Sequence, residues 1–547
     1  MNKKPALLAA LLLPPALLIN LGEVIFIDDE AIRALVAQEM LWSGEFASPT
    51  LHGDVYLNKP PLFNWILAVF FSIFGTSEFV ARLPTVLSVI GLGGVVYYFS
   101  QKHFPRWLAF THALTAITCG RMLFWDSMLA LIDVTFSVVV YAQIMVLYEH
   151  GRRGRWWWAF GLSYLLTAVG FMLKGLPAIV FQGITVFTLL FWLRSWRQFL
   201  RPAHLLSGIG CLLILGSYYW WYSGYVDLTA VFTRLFEEST KRTAGEHPWW
   251  HTLAHVGSFP FEMSYHFLPW TLLLVYLFQP GAWRALRQND FAAFSLVVFL
   301  SNIAVYWLSP GVFPRYLLML FPLLFGGLLY LHSLHLRPRT KTYNGLRYLL
   351  LGAGTLAAII IPFAPLVPQT SIVDNAWLKS VFLGGAAGAM MWTAWRQPQG
   401  WLLTFAVYLL LLRVAFNVFV LPPRAMEDER GNRLVASATQ LAQELEDQPL
   451  AVYGYSMMEP APGFYLSHAR GEIVPRAFVG MDTLTYYVVD EWTYPTEGLR
   501  VTNGLYLRHR KVVHPVGRFS TVRPDSLGRP AVLFDGMGTG LSLLRFR

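Results

Sequence analysis

The sequence predicts a polytopic α-helical membrane protein that ends in a small α/β domain. Three observations carry the prediction. Of 547 residues, 55% are hydrophobic and only 14% are charged, against about 25% charged in ordinary soluble domains. The apolar residues gather into runs long enough to cross a bilayer. The basic residues collect in every second loop, the pattern that sets orientation in a membrane.

The elements follow in order. Met-Asn-Lys-Lys before an apolar run resembles a signal peptide. Residues 5–26 are long enough to span, however, and no small-residue cleavage site precedes Asp28, so they read as an uncleaved first helix running outward from Lys3 and Lys4. Leu62–Phe74 is short and follows Pro60-Pro61, which marks an interfacial or partly inserted helix. Further spans are expected at 82–99, 107–123, 129–147, 156–172, 176–193, 204–222, 263–278, 291–308, 316–334, 348–366, 377–395 and 401–421, thirteen in all. Hydropathy alone places these spans, yet every loop on the cytoplasmic side carries Lys or Arg: Lys102 and Arg106, Arg152 to Arg155, Arg194 to Arg201, Arg284 and Arg287, Arg337 to Lys341, and Arg396. Residues 1–421 therefore read as a transmembrane domain with its N-terminus inside.

From Pro422 the composition is mixed. Residues 427–448 read as an amphipathic helix, and 450–455 and 486–489 as strands. Residues 422–547 suffice for one α/β domain, which the topology puts on the outer, periplasmic side. The net charge of +10 is explained by loop topology and calls for no nucleic-acid partner. Cys119 and Cys211 lie in apolar runs, with no metal spacing and no disulfide framework.

The first outer segment concentrates the unusual residues. Asp28, Asp29 and Glu30 stand where clustered carboxylates are costly unless they face water or do chemistry. From Asp29 the spacing of Ile32, Leu35, Val36 and Met40 predicts a short amphipathic interfacial helix, capped by Asp28 or Asp29. Gly44, Pro49 and Gly53 end it, and Tyr56-Leu57-Asn58-Lys59-Pro60-Pro61 returns a cation to the membrane. Asp54, Arg121, Asp126, Lys174, Glu237, Glu238, Glu246, His247, His251 and Arg315 also map to the outer face. Ionisable groups beside apolar runs mark functional sites. Plainer readings stand beside this one. Asp126 pairs with Arg121 as a structural ion pair, Lys174-Gly175 caps a helix end, and Arg315 snorkels. His247 and His251 are four apart, but Pro248 between them argues against a shared helical face for a metal. Asp133, inside the fourth span, faces either a neighbouring helix or a cavity.

The ordered set Asp29-Glu30-Ala31, Gly44 to Pro49, Tyr56 to Leu62, Arg82-Leu83-Pro84, Arg121 to Leu129, Lys174-Gly175, Glu246 to Trp250 and Pro314-Arg315-Tyr316-Leu317 resembles the GT-C class of membrane glycosyltransferases. The nearest groups are the lipid A aminoarabinose transferases and the bacterial relatives of the protein O-mannosyltransferases. The resemblance covers roughly the first 335 residues. It implies a GT-C fold of about thirteen helices with interfacial helices in the first outer loop. It also implies an inverting transfer from a polyprenyl-phosphate (undecaprenyl-phosphate) sugar to an acceptor on the outer side of the bacterial inner membrane, catalysed by a monomer. It departs from the pattern in two places. The aminoarabinose transferases have Asp-Glu-Thr-Arg-Tyr where this chain has Ala31, Ile32 and Arg33 after the acids. They also have Glu before Lys-Pro, where Asn58 stands here. That glutamate helps hold a metal with a histidine of the long outer loop, which His247 would supply here; otherwise no cofactor is expected.

On the enzyme reading, Lys59, Arg315 and Lys174 are the candidate cations for the leaving phosphate. Asp29, with Glu30 beside it, would position or deprotonate the acceptor, and Asp126 would support the site. Tyr56, Tyr316 and Arg82 are candidates for donor or sugar contacts. The acceptor is a lipid such as lipid A, or a protein. The competing reading is a transporter or flippase of lipid-linked sugars. It predicts inverted repeats and ionisable residues along the midplane. The sequence shows no repeat, and its ionisable residues crowd one face.

Overall fold

A computed structural model of the protein describes residues 3–27, 29–241, 248–456, 458–478, 485–490, 501–506 and 518–522. The chain divides into two compact units: residues 1–23, 57–63 and 82–423 form one, and 24–56, 64–81 and 424–547 form the other. The second unit is therefore more than the C-terminal segment; it takes in most of the first outer segment.

The first unit is helical. Among the described residues, seven helices are long and apolar enough to cross a membrane: Glu78–Ser100, Ile132–Gly151, Trp156–Lys174, Pro202–Tyr222, Asp290–Trp307, Lys341–Leu366 and Trp401–Met426. Lys4–Leu18, Pro177–Trp192 and Phe321–Leu334 are apolar but shorter, as is Leu62–Phe74, most of which belongs to the second unit. The 13 residues of Leu62–Phe74 extend only about 20 Å, less than the roughly 30 Å of a hydrocarbon core. Prolines account for two departures from continuous spans. The expected run at 263–278 is split. The Trp249–His266 helix ends and a 3-10 helix, Trp270–Phe278, begins after Pro269, because proline offers no N–H to continue the ladder. The run at 316–334 opens as a 3-10 turn, Pro314–Leu317, before the helix Phe321–Leu334. The first helix ends at Leu18, followed by Asn20 in the left-handed region at φ 55°.

Buried polar side chains join the apolar helices. Gln143 Nε2 donates to Gln182 Oε1 at 2.9 Å, and Gln182 Nε2 donates to Ser163 Oγ at 2.8 Å, tying three consecutive helices. Such bonds between helices are worth about 0.6–2 kcal/mol each where no water competes. At the end of the chain's last apolar helix, Asn417 donates to the Ala16 carbonyl at 3.0 Å, and Arg413 donates to the Leu123 carbonyl and to Asn417 Oδ1. The carbonyls left open at the end of the first helix thereby gain donors.

The second unit holds the Glu30–Ser43 helix, a hairpin pairing Thr50–Leu51 with Asp54–Val55, the helices Glu429–Glu444 and Pro460–Arg470, and a five-stranded mixed sheet. In the sheet Arg476–Ala477 and Tyr486–Asp490 run parallel on either side of Leu450–Tyr453. Arg518–Val522 then pairs antiparallel with both Tyr486–Asp490 and Val501–Tyr506.

The Glu30–Ser43 helix differs from the amphipathic surface helix the spacing predicts. Glu30, Arg33, Gln38 and Glu39 are buried along with the apolar face. The reason is tertiary. Gln38 Nε2 bonds His468 Nδ1 at 2.9 Å, bringing the Pro460–Arg470 helix onto what the spacing makes its polar side. Glu39 is fully buried and accepts from Thr50 Oγ1 at 2.7 Å, His52 N at 2.7 Å and Gly53 N at 3.1 Å. His52 and Gly53 both have positive φ, 57° and 73°, as a two-residue turn of matching twist requires. A histidine there is unfavourable unless something holds it, and Glu39 does so by satisfying both turn amides. Burial raises the Glu39 pKa above the usual carboxylate range, opposed by these hydrogen bonds.

Glu39→Gln replaces one accepting oxygen with a donor facing donors. The expected cost is about 1–3 kcal/mol for the group left unsatisfied. It should appear as faster hydrogen exchange at the His52 and Gly53 amides; unchanged exchange there would show that the turn holds itself.

Candidate functional site

Within the helical unit, charged side chains converge where three elements meet. Asp133 stands in the first turn of Ile132–Gly151, Lys174 in the last turn of Trp156–Lys174, and Arg315 in the 3-10 turn Pro314–Leu317. The sequence explains each position locally. An acid in a helix's first turn meets the positive end of the helix dipole and a lysine in the last turn meets the negative end. Gly175, at φ 83°, ends the lysine's helix with its N–H on the Phe171 carbonyl, a conformation glycine adopts without strain. Pro314 opens the turn where its missing N–H costs nothing.

Lys174 Nζ donates to Asp133 Oδ1, and Arg315 Nε lies 3.6 Å from Asp133 Oδ2. None of the three side chains is more than 10% exposed. Aromatic rings wall the cations: Lys174 Nζ is 3.9 Å from the centre of the Tyr316 ring, and the Arg315 guanidinium is 4.7 Å from that of Phe313. Lys59 also bears electrostatically on the Asp133 carboxylate. Its own ion pair is Glu238 at 3.9 Å, and Glu238 accepts from Lys241 at 2.5 Å. Burial raises the Glu238 pKa, but the Lys241 hydrogen bond and the charges of Lys59, Lys241 and Arg234 outweigh it, so the carboxyl sits below its usual range.

Asp126 lies in the turn before Ile132–Gly151 and is 1% exposed. Arg121 Nε donates to its Oδ2 at 2.9 Å, the structural pairing that five-residue spacing allowed. Its Oδ1 has no hydrogen-bond partner among the described residues. Burial pushes its pKa up to about 6; Arg121 opposes the rise, Asp133 adds to it and Arg315 again opposes it. Asp126 is thus a local ion pair that feels both Asp133 and Arg315. Arg82 is buried, and its Nη1 donates to the Leu21 carbonyl at 2.7 Å.

Asp29, Glu30 and Tyr56 fall in the second unit. Asp29 occupies the N-cap position of Glu30–Ser43, but its side chain makes no capping bond. Instead Glu30 Oε2 accepts from the Ile27 amide at 3.0 Å. Tyr56 OH accepts from Arg33 Nη2 at 2.7 Å, and its ring packs on Val36 and Met40. Asp28, Glu246 and His247 lie outside the described residues. The side chains around Asn58 do not fit a metal. Its Oδ1 accepts from Arg234 Nε at 2.9 Å, so a guanidinium stands where a cation would have to bind. Among the described residues no group of three or more His, Cys, Asp or Glu could hold one.

The sequence left Asp133 open between a helix contact and a cavity. The structure makes it the acid on which the cations Lys174 and Arg315 meet. The signal was present, an aspartate in the first turn of an apolar span, but its partners are 41 and 182 residues away in the chain.

Residues 58–221 match the model of the dolichyl-phosphate-mannose-protein mannosyltransferase family. The undecaprenyl phosphate-alpha-4-amino-4-deoxy-L-arabinose arabinosyl transferase 1 of Pseudomonas fluorescens Pf-5 is 28% identical over 61% of this chain and 61% of its own length. The corresponding transferase 2 of strain Pf0-1 is 28% identical over 65% of each. The chain thus spans less than two thirds of the length of these curated relatives. The crystal structure of ArnT from Cupriavidus metallidurans bound to undecaprenyl phosphate matches with a TM-score of 0.67 at 19% identity, over 97% of this chain and all of that one. The apo structure of the same protein matches at 0.63 and 20% identity, over 94% of this chain and 97% of that one. The likeness read from the motifs extends to the whole described architecture: the chain has the fold of ArnT.

Proposed function

We propose that the protein is an inverting glycosyltransferase of the GT-C class. It takes a sugar, aminoarabinose by likeness to its relatives, from an undecaprenyl-phosphate donor and passes it to lipid A on the periplasmic side of the inner membrane. The observation that carries this reading is the Asp133–Lys174–Arg315 cluster. Two cations meet one carboxylate there, little exposed to water and walled by aromatic rings. Such a place attracts a phosphate that is gaining charge.

In the proposed step an acceptor oxygen attacks the anomeric carbon from the side opposite the phosphate. The bond from that carbon to the phosphate oxygen breaks, and its electron pair stays on the oxygen. Polyprenyl phosphate leaves with one more negative charge than the donor carried, and Lys174, Arg315 and Lys59 stabilise it. Asp133 is a positioning residue that holds Lys174 and Arg315. Tyr316 and Arg82 are assigned to the donor side, and Asp126 supports the site through Arg121. Asp29, with Glu30 and Tyr56, is assigned to the acceptor. It takes the proton of a hydroxyl acceptor; toward lipid A, whose phosphate is already ionised, it orients the acceptor or offsets the sugar's positive charge. The donor-facing charges gather at one end of the Ile132–Gly151 span, which supports surface chemistry on a lipid-borne substrate over transport along a midplane path.

Thirteen spans, with residues 422–547 forming a periplasmic α/β domain, complete the reading. Its support is the alternation of loop charge and the strands and helices of the C-terminal segment. The match of residues 58–221 to the mannosyltransferase family favours one second reading, a protein acceptor.

Mass spectrometry of envelope lipids and glycoproteins, with and without this protein, separates the two readings. Loss of a 4-amino-4-deoxyarabinose adduct on lipid A is expected; loss of a glycan from proteins with lipid A unchanged would move the acceptor to the second reading.

In a purified assay Lys59→Ala, Lys174→Ala and Arg315→Ala should each lower kcat/KM for the donor. A removed charge-stabilising donor typically costs about 100- to 1,000-fold in turnover. Donor titration of the three variants is the check: unaltered kcat/KM in all of them would leave the cations as helix anchors only.

Asp29→Asn keeps the size of the side chain and removes its charge. Turnover should fall about 100- to 10,000-fold while yield and melting temperature stay close to wild type. Near-normal turnover would take the carboxylate out of the chemistry.

A further inference from the structure

The Ile132–Gly151 helix ends in a second charged cluster that the proposed reaction does not use. Glu149 lies sixteen residues after Asp133, about 24 Å along the helix at 1.5 Å per residue, and is 2% exposed. It pairs with His103 Nε2 through one oxygen and accepts from Arg153 Nη2 at 3.0 Å through the other. Arg152 Nη1 donates to His103 Nδ1 at 3.3 Å, which leaves the Nε2–H of the imidazole to donate a hydrogen bond to Glu149. Asp290 accepts from Tyr148 OH at 2.7 Å and from Trp192 Nε1 at 3.0 Å, with Arg152 3.9 Å away. Lys102 lies over the rings of Tyr98 and Phe99, at 3.9 and 4.7 Å. Three cations therefore stand against two carboxylates, Glu149 and Asp290, and each carboxylate already has neutral or charged donors on it.

Lys102, His103, Arg152, Arg153 and Asp290 line a polar pocket of about 530 Å³. Beside it is a cavity of about 750 Å³ with mostly apolar walls that include Phe104, Trp107, Leu108, Tyr330 and Leu403. The two share His103 and Asn289. A basic polar chamber joined to an apolar one, at the end of membrane-spanning helices, has the polarity of an anionic amphiphile.

We propose that this end of the helical unit binds an anionic membrane phospholipid, its phosphodiester in the pocket of Lys102, Arg152 and Arg153 and its chain in the adjoining apolar cavity. Three cations against two carboxylates leave the polar chamber net positive, and Arg337 lines the adjoining cavity, so both chambers favour an anionic headgroup. A soluble phosphate would use the polar chamber alone and leave the apolar walls without a ligand.

The test uses the full chain purified in detergent and titrated with short-chain phosphatidylglycerol, phosphatidylcholine of the same chains, or inorganic phosphate, with binding read by native mass spectrometry and thermal shift. Phosphatidylglycerol should bind saturably and phosphatidylcholine at least tenfold more weakly. The double variant Lys102→Gln, Arg152→Gln should weaken phosphatidylglycerol binding about 30-fold, as two lost surface cations imply, and leave the basal transfer rate unchanged. Lys102→Gln alone, at an exposed position outside the hydrogen-bonded cluster, should weaken it about fivefold, and it decides the matter if the double variant does not fold. Equal binding of phosphatidylcholine would overturn the proposal, as would inorganic phosphate binding as tightly as the lipid or unchanged affinity in the Lys102 variant.

Discussion

The meeting of Lys174 and Arg315 on the Asp133 carboxylate is the constraint on which the rest of the helical unit depends. An isolated ion among apolar helices costs several kcal/mol, and a pair recovers that cost only with good geometry and further contacts. Here the contacts are supplied by the ends of two helices and a 3-10 turn, each of which must stop where it does. Gly175 stops the lysine's helix, Pro314 opens the turn, and Asp133 begins its own helix. Tyr316 then lies against the Lys174 ammonium as a further consequence of that turn.

The same arrangement joins stability to chemistry. A neutral pair would hold the elements together and offer nothing to a substrate. Lys174 and Arg315 stand together in a place with little water to screen them, so in the proposed reaction a phosphate within their reach is held strongly. A phosphate that becomes more negative as its bond to sugar breaks gains most in the transition state, the condition under which binding energy appears as rate rather than as ground-state affinity. Asp133 therefore does two things: it limits repulsion between the cations, and it fixes where they stand.

How much of this was legible in the sequence varies with the range of the interaction. The apolar runs were legible because burial in a membrane leaves a continuous composition signal. The Arg121–Asp126 pair was legible as an alternative because its partners are five residues apart. The cluster's centre was not: Asp133 meets Lys174 and Arg315 from remote parts of the chain, and no local pattern ranks one buried acid above another. Residues 30–43 were correctly read as a helix and incorrectly as a surface one. The residues that bury its polar side, among them His468 and the turn at His52-Gly53, lie across a tertiary contact and beyond a hairpin. The breaks at Pro269 and Pro314 were present as prolines, but hydropathy averages over them.

Glu39 and Asp133 show one physical rule at work in the two units. Each is a carboxylate buried to a degree that would be prohibitive alone, and each is kept by several donors converging on it. They differ in the charge of those donors. Glu39 is surrounded by neutral amides and a hydroxyl, which satisfy it and leave nothing over; its product is a fixed turn. Asp133 is met by two full cations, Lys174 and Arg315, which in the proposed reaction also meet the leaving phosphate. A buried acid in a membrane protein is thus read best by the kind of its partners: neutral donors fix a turn, whereas full cations are also groups that an anionic substrate would meet.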